Sequence, residues 1–197
     1  MRRFSVIVSS RMKRSLCKIR RHYYLMPDYF DPEPAALTTP ERNSLFEECI
    51  RHVNTVLASL GFIKIDDINK YISNLDSSHA SDFPVFIHLD YHVGHSNKLV
   101  GADKNNSDII VPSTTLGLRC LDLMETKDRG KRPYSWWTFA VVVDSHGDTH
   151  KDFPIVLAAI KPYIPTGIGD NKHETYEIQI CEDDERVIEI KHILGIK

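Results

Sequence analysis

The spacing of the apolar residues changes near residue 83, and that change constrains the fold of this chain more than any other feature. Before it, Leu45, Phe46, Cys49, Ile50, Val53, Val56, Leu57 and Leu60 recur at intervals of three and four, the pattern of a helix with one buried face. Thr39 as N-cap, Pro40 as first helical residue and Glu41 at the positive end of the dipole mark its start. Gly61 closes it, where a left-handed residue is wanted. A shorter helix is expected from about Asp66 to Leu75, with Ile68, Tyr71, Ile72 and Leu75 along one stripe. After residue 83 apolar residues alternate instead. Strands are expected at 85–92, 108–111, 116–124, 136–144, 154–163, 175–181 and 187–193. Residues 145–152 and the acidic tip 182–185 read as short links, and short links favour antiparallel pairing. The expected class is therefore α+β, with N-terminal helices packed on a mainly antiparallel C-terminal sheet.

Ahead of the long helix the chain is basic and then proline-rich. Arg2, Arg3, Arg11, Lys13, Arg14, Lys18, Arg20 and Arg21 precede the first acid, Asp28. A strand is expected at 3–9. Over 11–24, Met12, Leu16, Ile19 and Tyr23 form one helical stripe and the rest of the surface is cationic. Such a helix suits a nucleic-acid arm or a membrane surface, although a charge run is also what a solvated helix face shows. Arg11, Lys13, Arg14, Lys18, Arg20 and Arg21 are the residues expected to hold phosphates. Pro27, Pro32, Pro34 and Pro40 disfavour helix between the arm and the body. The organisation expected is a basic arm at 1–25, a connector at 26–40 and a single α+β domain at 41–197.

With 197 residues, 42% of them hydrophobic, the chain can bury a core of ordinary size. Its net charge of −2 excludes a general polyanion binder, so any nucleic-acid contact must come from a local patch. Cys17, Cys49, Cys120 and Cys181 form no CxxC pair, which favours reduced thiols and a cytoplasmic protein. An Arg- and Ser-rich, acid-poor start leaves organelle import as the alternative. No run approaches the ~20 apolar residues of a membrane span.

Two His/Asp clusters carry the chemical expectations. In the segment His88-Leu89-Asp90-Tyr91-His92, strand alternation puts His88, Asp90 and His92 on one face. Two imidazoles and a carboxylate suffice for a catalytic metal with an open position. A half-exposed antiparallel strand gives the same alternation with no ligand at all. The second cluster is Asp144-Ser145-His146-Gly147-Asp148-Thr149-His150, past the apolar strand at 136–143. Its Ser, Gly and Asp are also ordinary turn residues.

If the clusters converge, His88, Asp90, His92 and Asp148 would bind Zn²⁺, Mn²⁺ or Mg²⁺, and Asp144, His146 and His150 would be catalytic. Glu189-Ile190-Lys191 has the spacing of a carboxylate-plus-lysine nuclease but is short enough to arise by chance. Of Trp136 and Trp137, alternation buries one and exposes the other, beside a basic loop where a base could stack. No phosphate-binding glycine loop and no Gly-x-Ser-x-Gly elbow is present. The expectation is a metal-dependent hydrolase of nucleic-acid or nucleotide phosphodiesters. The alternative is a non-catalytic binding module, of inhibitor, immunity or anti-defence type, engaging a protein or nucleic acid through its arm and sheet face.

Overall fold

A computed structural model describes residues 2–12, 20–32, 38–74, 83–100, 107–122, 134–165 and 173–196. The strands are β1 (Arg3–Met12), β2 (His22–Asp31), β3 (Ile63–Lys64), β4 (Val85–Val100), β5 (Ser107–Leu121), β6 (Tyr134–Val143) and β7 (His173–Cys181). The helices are α1 (Thr39–Ser59), α2 (Ile68–Ser73), α3 (Thr149–Ile160) and α4 (Glu185–Leu194). The strands form one seven-stranded sheet in the order β3-β2-β4-β5-β6-β1-β7. Most neighbours are antiparallel, but β2 runs parallel to both β3 and β4.

This corrects the expected fold class. Helices are not gathered at the N-terminus on a C-terminal sheet: two strands precede α1, and two of the helices follow residue 148. The N-terminal strand β1 lies between β6 and β7, pairing with Val143 through Trp136 on one side and Cys181 through His173 on the other. Residues 22–31, in the stretch read as basic helix and proline connector, are strand β2, which bulges between Pro27 and Tyr29. Lys13, Arg14 and Lys18 lie outside the described residues.

Two segments read as strands are helices. Residues 152–160 of α3 are all buried, and a helix enclosed on every side has no polar face to reveal its period. A continuous apolar run is ambiguous between the two structures. Pro154 is tolerated at the cost of one intrahelical hydrogen bond. In α4 the buried residues are Val187 and Ile190, three apart, while Ile188 is exposed. Glu189 and Lys191 therefore share no strand face, and Glu189 pairs with Lys161. The acidic tip at 182–185 caps α4: Asp184 accepts the Arg186 N–H at 3.0 Å. The long helix begins one residue before the expected position, with Thr38 as N-cap and Glu41 accepting from both its N–H and its hydroxyl.

One core joins these elements. Phe4, Val6 and Val8 of β1, Ile87, Leu89 and Tyr91 of β4, Leu116 and Leu118 of β5, and Ala140 and Val142 of β6 turn to the face packed by α1, α3 and α4. Trp136 is buried there, while Trp137 points to the other side. Tyr91 stands at the centre. Its ring meets Phe153 edge-on at 5.1 Å and stacks near Phe30 at 5.5 Å. Its hydroxyl donates to Thr149 at 3.1 Å, and Thr149 donates to the Pro32 carbonyl at 3.3 Å. Burial raises the Tyr91 phenol above its ordinary pKa. No helix among the described residues is long and apolar enough to cross a membrane.

Because β1 fills an interior position of the sheet, removing residues 1–12 should abolish cooperative folding, leaving no thermal transition by circular dichroism. A dispensable arm would give a truncated protein with an unchanged melting temperature.

Candidate functional site

The second His/Asp cluster is a turn built around one buried carboxylate. Asp152, fully buried, accepts from the His146 N–H at 2.9 Å, the Asp148 N–H at 3.2 Å and the Thr114 hydroxyl at 3.0 Å. The two backbone bonds, reaching six and four residues along the chain, fold it from β6 into α3. Asp148 is the N-cap of α3, its carboxylate accepting the His150 N–H at 3.0 Å. Asp144 sits at φ 59°, the left-handed region that L residues rarely adopt. Arg2 holds it there, one Nη2 donating to the Asp144 carbonyl at 2.7 Å and to its carboxylate at 3.2 Å. His146 reaches Glu182 at 2.7 Å through Nε2. His150 is exposed, 3.8 Å from Glu48 of α1.

The first cluster does share a face, the one opposite the core that α1, α3 and α4 pack. It does not meet the second. His88 donates Nδ1–H to Asp28 at 2.7 Å. Asp28 also accepts from Arg119 Nη2 at 3.0 Å, and the same Nη2 reaches Asp90 at 2.7 Å. A guanidinium thus lies between two carboxylates, in the place a bound cation would need. His92 stands one row further, 3.8 Å from Asp31, which pairs with Arg42 at 2.9 Å. Asp148, the fourth expected ligand, belongs to the α3 cap. Among the described residues no three His, Cys, Asp or Glu side chains come together as a metal-binding group.

Beside this network the face opens into a cavity of about 420 Å³, lined by Asp90, Thr115, Gly117, Arg119, Trp137 and Phe139. The register explains it. Gly117 of β5 lies directly between Asp90 of β4 and Phe139 of β6. With no side chain at 117, the floor between them is bare backbone. A Cβ there would meet Phe139 Cβ at 3.6 Å and Asp90 Cβ at 3.7 Å, ordinary contact distances. One wall is a stacked pair, Trp137 and Phe139, with ring centroids 5.4 Å apart and planes 15° from parallel. The volume is within the range of small-molecule sites, roughly 300–1,000 Å³.

The described basic residues divide. Arg20 forms an ion pair with the buried Asp122 at 3.0 Å. Arg21 donates to the Leu60 carbonyl at 3.0 Å and lies over the Phe62 ring. Both support the body. Arg11, by contrast, faces the uncovered side at the position across from Trp137, and no carboxylate among the described residues pairs with it.

Sequence reasoning missed Asp28, Arg119 and Gly117. A signal existed for two of them: Arg119 is the one charge, and Gly117 the one glycine, inside the apolar strand Leu116–Leu121, and a lone strand glycine often marks close approach. Asp28 gave none, since its bulge between prolines resembles a connector.

No protein-family model matches the chain, and comparison with curated proteins gives no match.

Removing the Asp152 carboxylate leaves the His146 and Asp148 N–H groups without their acceptor. Asp152→Ala should destabilise the fold by about 3 kcal/mol, lowering the melting temperature by roughly 6–12 °C. Asp148→Ala, which loses one exposed cap bond, should cost about 1 kcal/mol. Equal, negligible shifts for both would remove the scaffold role of this loop.

Proposed function

We propose that this chain is a binding module that takes a flat, ring-bearing ligand on its uncovered sheet face. The observation that carries the reading is the cavity above Gly117, walled by the stacked Trp137 and Phe139 rings and rimmed by Asp90 and Arg119. An aromatic wall offers stacking on the order of 1–3 kcal/mol per ring. The rim adds direction, because a carboxylate accepts hydrogen bonds and a guanidinium donates them. Charge argues against a site built for a bare phosphate chain. Asp28 and Asp90 stand against the single guanidinium of Arg119, whereas backbone-binding surfaces carry a clear excess of cations.

A second reading, hydrolysis of phosphodiesters, keeps one specific support: the His88–Asp28 pair at 2.7 Å. A carboxylate on one imidazole nitrogen orients the ring as a general base. The expected metal ligands do not suit a shared ion, so this reading rests on His88 alone. A diagnostic measurement is hydrolysis of bis-(p-nitrophenyl) phosphate. A rate that His88→Ala reduces at least a hundredfold would favour it, and a rate indifferent to that substitution would remove it.

The binding reading is tested by filling the cavity. Gly117→Val places an isopropyl group in the cavity from a strand position without backbone strain. Ligand-observed NMR with indole, adenosine and guanosine should show binding to the native protein. Binding should weaken at least tenfold in Gly117→Val and in Trp137→Ala, with melting temperatures within a few degrees of the native value. Absence of any ring binding, or binding unaffected by both substitutions, overturns the proposal.

A further inference from the structure

Building on the binding reading, we infer that the ring is a nucleobase of the 6-oxopurine type, guanine, carried on a ribose phosphate that runs toward Arg11. The argument starts from the rim. Asp90 and Arg119 line the same cavity and touch at 2.7 Å. A ligand edge entering there meets acceptors and then donors, side by side. It must offer donors next to an acceptor. Guanine carries two neighbouring donors, N1–H and the 2-amino group, followed by the O6 acceptor. A carboxylate takes the two donors, and a guanidinium, with five N–H groups in a fixed fork, takes O6. Adenine offers one donor beside one acceptor on the corresponding edge, so it forms one charge-assisted bond fewer. Cytosine and uracil present less ring surface to the aromatic wall.

The wall and the floor agree with a purine. Trp137 and Phe139 stack on one another with planes 15° from parallel, a stack that a base can extend on an outer ring face, and Gly117 lines the cavity beside them without a side chain. Across the next strand, Arg11 lies opposite Trp137. Strands are about 4.8 Å apart, so a phosphate on the ribose of a stacked base falls near the Arg11 guanidinium. Arg119, held by Asp28 and Asp90, is suited to reading the base edge, and Arg11 is left for the phosphate. The uncovered face thus has an acidic end that reads a ring edge and a basic end that takes an anion. The sum is near neutral, which suits a single nucleotide better than a polymer.

The test is a calorimetric titration of the full chain with guanosine, adenosine, GMP and AMP at low ionic strength. Guanosine should bind at least tenfold tighter than adenosine, the size of one hydrogen bond to a charged group. GMP should bind roughly fivefold tighter than guanosine, and Arg11→Gln should remove that gain while leaving guanosine unchanged. Asp90→Asn should erase the guanosine preference, with thermal melts confirming that the variant is folded. Adenosine binding as tightly as guanosine overturns the base assignment. A GMP gain that persists in Arg11→Gln overturns the phosphate assignment. If indole binds and loses affinity in Gly117→Val while no nucleoside binds, this inference fails and the ring-binding proposal stands. If no ring compound binds, both fail.

Discussion

Helix α3 is enclosed by the sheet below it and by the other helices around it, so every residue from 152 to 160 is buried. Much of the architecture follows from that enclosure. A helix apolar on all sides needs β6, β5, β1 and β7 beneath it and α4 beside it. Asp152 at its start is taken out of water with it. A carboxyl group in such a place must be fully hydrogen-bonded. The chain supplies the partners by turning sharply after β6, which brings the His146 and Asp148 N–H groups onto the two carboxylate oxygens. The left-handed Asp144 and its clamp by Arg2 belong to the same turn. Left-handed backbone at a non-glycine residue costs on the order of 1 kcal/mol, less than leaving a buried carboxylate with empty lone pairs.

The same enclosure decides where function can sit. All the major helices lie on one face, so alternate residues of every strand are committed to packing, and the others are left on the second face. That face carries Asp28, His88, Asp90, Arg119, Trp137 and Phe139. Its ion pairs are partly exposed, so each contributes modestly to stability, about 0–1 kcal/mol. Their effect is positional. One guanidinium nitrogen bridged between two carboxylates ties Arg119 to both acids beside the cavity, which would lower the entropy the proposed ligand must remove on binding.

Some of this was legible in the sequence. The alternation over 85–92 placed His88, Asp90 and His92 on a common face, and the apolar spacing of 45–60 located α1. The pair Trp136 and Trp137 divided between core and surface as alternation requires. What was hidden has physical causes. A helix buried all round shows no period, so α3 resembled a strand. The cationic start of the chain resembled an arm because its charges dominate the composition, yet Phe4, Val6 and Val8 alternate beneath them and are wholly buried. The parallel pairing of β2 with β4 depends on residues far apart in the chain, which no local pattern encodes. Asp28 and Arg119 meet across 91 positions, and only the folded register brings them together.

Convergence of the two His/Asp clusters was the premise of a metal-dependent enzyme, and the fate of their carboxylates is what supports proposing a binding module instead. Asp152 holds a turn, Asp148 caps a helix, Asp144 is clamped by Arg2, and Asp90 faces a guanidinium. Each acid already has a charge partner or a backbone donor. A catalytic metal demands carboxylates whose lone pairs converge on one point. Recognition demands less: an empty volume, a flat wall and a rim with direction. Gly117 provides the first by the absence of a side chain, the aromatic pair the second, and Asp90 with Arg119 the third. The cavity on which the proposal rests thus depends on the one glycine inside the apolar strand Leu116–Leu121.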